Sequence, residues 1–301
     1  MSMLIIDWGT RPDYLLRRLY PDARVVPSEP LSQPDLKCGE LCGPGLCIFH
    51  INISDARRWF PDRAAFLKEL ESAGFAVVNG TVADIRKSNL QRLNISLGLP
   101  DVRVEKDFDP ALKVIVKTDY NYGGLLEGGL PAATRRRLGL HRPSGPTVNG
   151  YDEYYVCGLE DVGSDLWNDE RLVVERFVAN AANAHWRFYR CGSRAVFSEI
   201  RNPDPIKKMV PGLPRRNWFF EFGEEPADAP LDALRNATRF VEALDVGYGA
   251  IDIAPDDAGV PHIIDLNLTP GWGLERQGEI LDHLRVGYPE ASEFFRPQSA
   301  K

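Results

Sequence analysis

Between Tyr248 and Leu268, two β-rich runs, Tyr248–Ala254 and His262–Leu268, flank the turn-forming stretch Pro255-Asp256-Asp257-Ala258-Gly259. Pairing the runs around Ala258-Gly259 sets Asp252 roughly opposite Asp265. A strand's period of two then puts Asn267 on the face of Asp265, and Ile264, Leu266 and Leu268 on the opposite, core-seeking face. Such a hairpin must lie on a core with three oxygen-bearing side chains on its other side. Adjacent carboxylates raise each other's pKa unless a cation sits between them. An all-oxygen set with few protein ligands suits Mg²⁺, which fills its shell with waters and phosphates. Asp252, Asp265 and Asn267 are therefore the candidate metal ligands.

The first eighty residues follow a different pattern. Short apolar runs at Met3–Asp7, Arg24–Val26, Leu46–Ile53 and Phe75–Val78 alternate with helical spacing at Arg11–Leu19 and Asp62–Ala73, the latter closed by Gly74. Alternating strands and helices predict a mostly parallel sheet. Cys38, Cys42 and Cys47 lie within ten residues, but their spacings match neither a zinc knuckle nor a ferredoxin, and the stretch reads as a Gly/Cys loop beside a strand.

From Thr81 onward, a helical pattern over Val82–Leu97 contains Lys87 and stops at Gly98 and Pro100. The β-rich Ala111–Lys117 ends in a lysine and runs into residues 118–129, which hold four glycines and two tyrosines and read as a mobile loop. Arg171–Val178 is a strand carrying Glu175. Trp186–Arg190 and Arg194–Ile200 form a hairpin around Cys191-Gly192-Ser193, with Arg187 on one arm and Arg201 just beyond the other. Residues 203–230 read as irregular and exposed, and Ala233–Leu244 as a helix. Several aromatics, among them Tyr154, Trp218 and Phe220, fit either a pocket or the core.

Composition excludes several classes. In 301 residues, 36 Lys and Arg against 43 Asp and Glu give a net charge of −7, which argues against a nucleic-acid partner. The short basic runs (Arg135-Arg136-Arg137, Lys207-Lys208, Arg215-Arg216) read as solvated faces. No apolar stretch approaches the ~20 residues of a membrane span. The N-terminus lacks the basic start of a signal peptide, and five cysteines are an odd count. A cytoplasmic protein with reduced thiols is expected.

Taken in order, these residues resemble the ATP-grasp superfamily of carboxylate–amine ligases, from about Asp84 to Gly273. The resemblance implies an α/β (α+β) fold: an N-terminal parallel α/β domain over 1–82, then an ATP-grasp region over 83–301. That region would divide into a central lid subdomain at about 100–178 and a catalytic subdomain at about 179–301. It implies ATP with Mg²⁺ (or Mn²⁺) as cofactors, with small-molecule or peptide carboxylate and amine substrates, and it admits a homodimer. Lys87 and Lys117 match the nucleotide lysines, and Gly123 and Gly124 the flexible lid over the phosphates. Glu175, Arg176, Phe177 and Val178 match the hinge strand that meets adenine. Arg187 and Arg201 match the arginines facing phosphate and substrate, and Asp252, Asp265 and Asn267 the magnesium ligands. Two departures stand out: Asp265 replaces a common Glu, and residues 179–183 lack the acid that often holds ribose. The implied reaction is activation of a carboxylate as an acyl phosphate for attack by an amine. A kinase on the same fold and a non-catalytic nucleotide binder are the alternatives.

Overall fold

The computed structural model describes residues 2–34, 36, 44–140, 154–203, 213, 215–271 and 278–288. Cys38, Cys42, Lys207, Lys208 and Gly273 lie outside them.

The N-terminal layer forms as its alternation predicts. Strands β1 (Ser2–Trp8), β2 (Arg24–Pro27), β3 (Gly45–Ile51) and β4 (Phe75–Val78) make a parallel sheet in the order β2-β1-β3-β4. Every residue of β3 is buried, as a strand covered on both faces requires. Helices α1 (Leu15–Leu19) and α2 (Arg63–Ser72) connect the strands. The Asp62 carboxylate caps α2 by accepting from the Ala65 N–H at 3.0 Å.

Helix α3 (Lys87–Ser96) begins five residues later than its periodicity predicts. Residues 82–86 instead run beside the loop after β3. Ala56 N donates to Ala83 O at 2.7 Å and Ile85 N to Ser54 O at 2.8 Å, which takes the backbone groups a first helical turn would use. Two Asp-x-Arg pairs, Asp55/Arg57 and Asp84/Arg86, interlock across this seam. Lys87 thereby becomes the first residue of the helix.

A small antiparallel sheet, β6-β5-β7, follows from β5 (Lys113–Thr118), β6 (Tyr155–Gly158) and β7 (Leu172–Arg176), with short helices α4 (Leu125–Gly129), α5 (Ala132–Leu138) and α6 (Ser164–Trp167) between them. It has its own core of Val104, Val114, Val116, Leu159 and Val162.

The largest sheet is antiparallel, in the order β10-β9-β8-β11-β12, from β8 (Ala184–Cys191), β9 (Arg194–Arg201), β10 (Arg215–Glu221), β11 (Tyr248–Pro255) and β12 (Pro261–Asn267). Strand β10 falls where an irregular segment is expected. Its charged flanks hide an alternation that buries Trp218 and Phe220. One face of this sheet packs Phe188, Phe197, Ile251 and Leu266 against Leu90 of α3 and Phe240 of α7 (Leu231–Ala243). On the other face, Tyr189, Val196 and Tyr248 share a core with Ile5, Leu16 and Ile48 of the N-terminal layer and Leu284 of α8 (Gly278–Arg285). The rest of that second face forms one wall of a cleft. No helix among the described residues is long and apolar enough to cross a membrane.

Candidate functional site

A cleft opens between the small sheet and the five-stranded sheet. Strand β5 contributes Ile115 and Lys117, and β7 Glu175 and Arg176, with Phe177 and Val178 following on. The opposite wall comes from Asp252 and Ile253 of β11 and from Ile264 and Asp265 of β12, and Lys87 enters from α3.

The hairpin register places Asp252 directly opposite Asp265, as the turn sequence predicts. One residue departs from the pattern. The ladder pairs Asp252 with Asp265 and then Ile253 with Ile263, so Ile264 is the extra residue of a β-bulge. Ile263 is therefore the buried core residue, and Ile264 lines the cleft beside Asp265 rather than joining Leu266 in the core. Each carboxylate faces a cation. Arg187 Nη1 lies 3.4 Å from Asp252 Oδ1, and Lys87 Nζ lies 3.9 Å from Asp265 Oδ1 while donating to Tyr120 O at 2.8 Å. Burial alone would lower the Arg187 pKa, but Asp252 and its neighbours hold it above the ordinary value. Lys117 Nζ and Glu175 Oε2 form a buried pair at 2.6 Å.

Arg201 is not at the cleft. Arg187 pairs with Ser198 across the β8–β9 hairpin, so the two share a face. Arg201 lies three residues past Ser198, an odd step, and points to the other face, where it is exposed and bonds to Glu199 at 3.3 Å. The next residue, Asn202, lines the cleft.

Gly123 and Gly124 do not line it either, and residues 118–129 are tied down. Asn121 N donates to Ser54 Oγ at 2.7 Å, Asn121 Nδ2 to Leu266 O at 2.8 Å, and Ser54 N to Glu127 Oε1 at 2.8 Å. Burial pushes the Glu127 carboxyl pKa upward. Three successive residues, Tyr122 (φ 49°), Gly123 (φ 68°) and Gly124 (φ 72°), take the left-handed conformation, and this sharp turn accounts for the two glycines. This turn brings the Tyr122 hydroxyl to Asn267 Nδ2 at 2.6 Å, and burial pushes the tyrosine's pKa up to about 12.

Tyr154, which fitted either a pocket or the core, lines the cleft, and sequence reasoning missed Asn180, His185 and Asn202 there. His185 was within reach of the strand period, two residues before Arg187 on the same face. Asn180 gives segment 179–183 its shape. Its Nδ2 donates to Ala184 O and Pro255 O, at 2.9 and 3.0 Å, and its Oδ1 accepts from Ala184 N at 2.8 Å.

The sequence matches no protein-family model and no curated protein. Its structure matches solved ones. The ATP-grasp ligase PsnB with its minimal precursor superposes with a TM-score of 0.53 at 14% identity, covering 96% of this chain and 100% of PsnB. The same ligase with precursor peptide PsnA2 and AMPPNP gives 0.51 at 12% identity, covering 95% and 97%. A RimK domain ATP-grasp protein from Sphaerobacter thermophilus gives 0.50 at 14% identity, covering 96% and 100%. The chain has the ATP-grasp fold. At such identity the likeness is one of architecture, so the chemistry must be argued from the ATP-grasp cleft itself. Among the described residues no three His, Cys, Asp or Glu side chains cluster to hold a metal. The donors at this cleft are instead two facing carboxylates and a nearby amide, an all-oxygen set that fits Mg²⁺ sharing its shell with phosphates.

Proposed function

We propose that this protein is an ADP-forming ligase that uses ATP to activate a carboxylate for attack by an amine. One observation carries the reading: Lys87 and Lys117 converge with Asp252 and Asp265 at a cleft that is otherwise largely apolar, with Arg187 behind its wall and paired with Asp252. Phosphoryl transfer needs charge neutralisation and positioning more than covalent help. The apolar part, with Ile115, Phe177 and Ile264, accepts a purine, and the backbone after β7 offers its edge groups. Asp252, Asp265 and Asn267 would hold Mg²⁺, which when bound neutralises phosphate oxygens. The two lysines carry the remaining phosphate charge. Lys117, now paired with Glu175, trades part of that pair for the nucleotide.

In the first step a substrate carboxylate oxygen attacks the γ-phosphorus and ADP leaves. In the second, an amine nitrogen attacks the acyl carbon, phosphate leaves, and the nitrogen loses its proton. Arg187 is placed to stabilise charge on the transferring group and on the tetrahedral intermediate. PsnB is solved with its precursor together with Mg and ADP; by analogy of fold, a peptide or a small amino acid is the substrate class here.

The test is ADP release from Mg²⁺-ATP with pooled small carboxylates and peptides, with and without hydroxylamine. Hydroxamate formed along with ADP establishes acyl-phosphate chemistry. A phosphorylated product that survives without hydroxamate makes the protein a kinase. Asp265→Ala should abolish ADP release while leaving the circular dichroism spectrum unchanged, and near-normal activity in that variant would sink the metal assignment.

A further inference from the structure

The turn at Tyr120–Gly124 is held in an unusual backbone, and nothing in the proposed reaction yet uses it. Tyr122 is a bulky residue in the left-handed region, where side chains other than glycine, asparagine and aspartate are rare, so a compensating contact is expected. The contact is with Asn267. Thr269 N donates to Asn267 Oδ1 at 2.9 Å. A backbone N–H only donates, so the oxygen of the amide must face Thr269, and its NH₂ must face Tyr122. The Tyr122 hydroxyl accepts from Asn267 Nδ2 at 2.6 Å and donates onward to Thr269 O at 3.4 Å. The same turn receives Lys87 Nζ on Tyr120 O and sends Asn121 Nδ2 to Leu266 O, the residue before Asn267. One short turn thus touches both the lysine and the amide that flank Asp265.

We infer that Tyr122 is a positioning residue for the cation: its hydroxyl locks the Asn267 amide in the one orientation that keeps an Oδ1 lone pair available for metal binding. The inference rests on the proposed role of Asn267 and goes beyond it. Asn267 Oδ1 has two lone pairs: Thr269 N takes one at 2.9 Å, and Thr269 Oγ1 reaches the other only at 3.4 Å, a long contact that a cation would displace. Without the tyrosine hydroxyl, the amide NH₂ loses its acceptor, and the side chain is held only at its oxygen, by Thr269. Partners that orient metal ligands typically change metal affinity by 10–100-fold when removed. Phe keeps the ring, the packing and the backbone constraint, so Tyr122→Phe removes the hydroxyl alone.

The experiment is a Mn²⁺ titration followed by electron paramagnetic resonance, with AMPPNP bound, on wild type, Tyr122→Phe, Asn267→Ala and the double variant. AMPPNP affinity without metal is measured in parallel by calorimetry. Tyr122→Phe should weaken Mn²⁺ binding by about 10-fold or more while metal-free AMPPNP affinity is unchanged. The double variant should be no weaker than Asn267→Ala, because the two residues act through one amide. Wild-type Mn²⁺ affinity in Tyr122→Phe, with Asn267→Ala weakened, overturns the positioning role and leaves the metal assignment standing. An equal loss of metal-free nucleotide binding also overturns it, showing a merely structural contact. Unaltered Mn²⁺ binding in Asn267→Ala overturns the metal assignment itself, and the inference with it.

Discussion

Arg187 and Arg201 differ by fourteen positions in sequence and by one face of a sheet in space. Arg187 is buried against Asp252, with its guanidinium 5.4 Å from the Tyr189 ring centre, whereas Arg201 is exposed beside Glu199. Exposed pairs of the second kind are worth little. Arg187→Ala should therefore cut ATP-dependent turnover by roughly 10²–10³-fold, the cost of losing a charge-stabilising donor. Arg201→Ala should stay within about threefold of wild type, because it breaks only a solvated contact. Rates of ADP release for the two variants decide the matter, and equal losses would refute the assignment by face. Residue type alone could not separate these arginines. The separation needs the hairpin register, in which Arg187 meets Ser198 and every face assignment on β9 follows. Where the turn fixes the register locally, as between β11 and β12, the pairing of Asp252 with Asp265 was legible in advance.

At the scale of elements, the buried contact between β5 and β7 has the clearest energetic consequence. Lys117 and Glu175 are both almost wholly buried, so removing one partner leaves a charge in a low-dielectric setting. Lys117→Met should cost about 3–5 kcal/mol in urea unfolding, and Lys117→Met with Glu175→Leu should recover most of that loss. A double variant as unstable as the single one would contradict the argument. Elements with strong local patterns were read correctly: β4 is Phe75–Val78 as its apolar run predicts, and α2 starts after Asp62. Those shaped by distant partners were not. Glycines at 123–129 signalled mobility, yet Ser54 and Leu266, far away in sequence, fasten that segment. Strand β10 needed β9 beside it before its alternation had meaning.

For the whole molecule, the decisive fact is that the N-terminal layer and the five-stranded sheet share one core. His50 lies in that layer, fully buried, with its Nδ1 2.7 Å from Asp7 Oδ1 and its ring 5.9 Å from that of Tyr248. Burial lowers the His50 pKa despite the Asp7 carboxylate. The unfolded chain therefore takes up this proton first as pH falls. The stability involved is complete above about pH 6.5 and declines below it, by at most about 1.4 kcal/mol per pH unit for one proton. Asp7, whose pKa is lowered by its His50 and Thr10 hydrogen bonds against the opposing effect of burial, adds a loss of the same sign at lower pH. Melting temperatures should fall from pH 7 to pH 5, with tryptophan fluorescence and far-ultraviolet circular dichroism changing together, and His50→Gln should flatten the slope. Separate transitions by the two probes would show that the shared core does not couple the layers. The small sheet stands apart from this block, with a core of its own. Lys87 is thus carried by one core and Lys117 by another. Each ammonium already rests against a carboxylate, Lys87 by Asp265 and Lys117 by Glu175, so any polyanion entering the cleft would compete with two acids for two lysines held on separate cores.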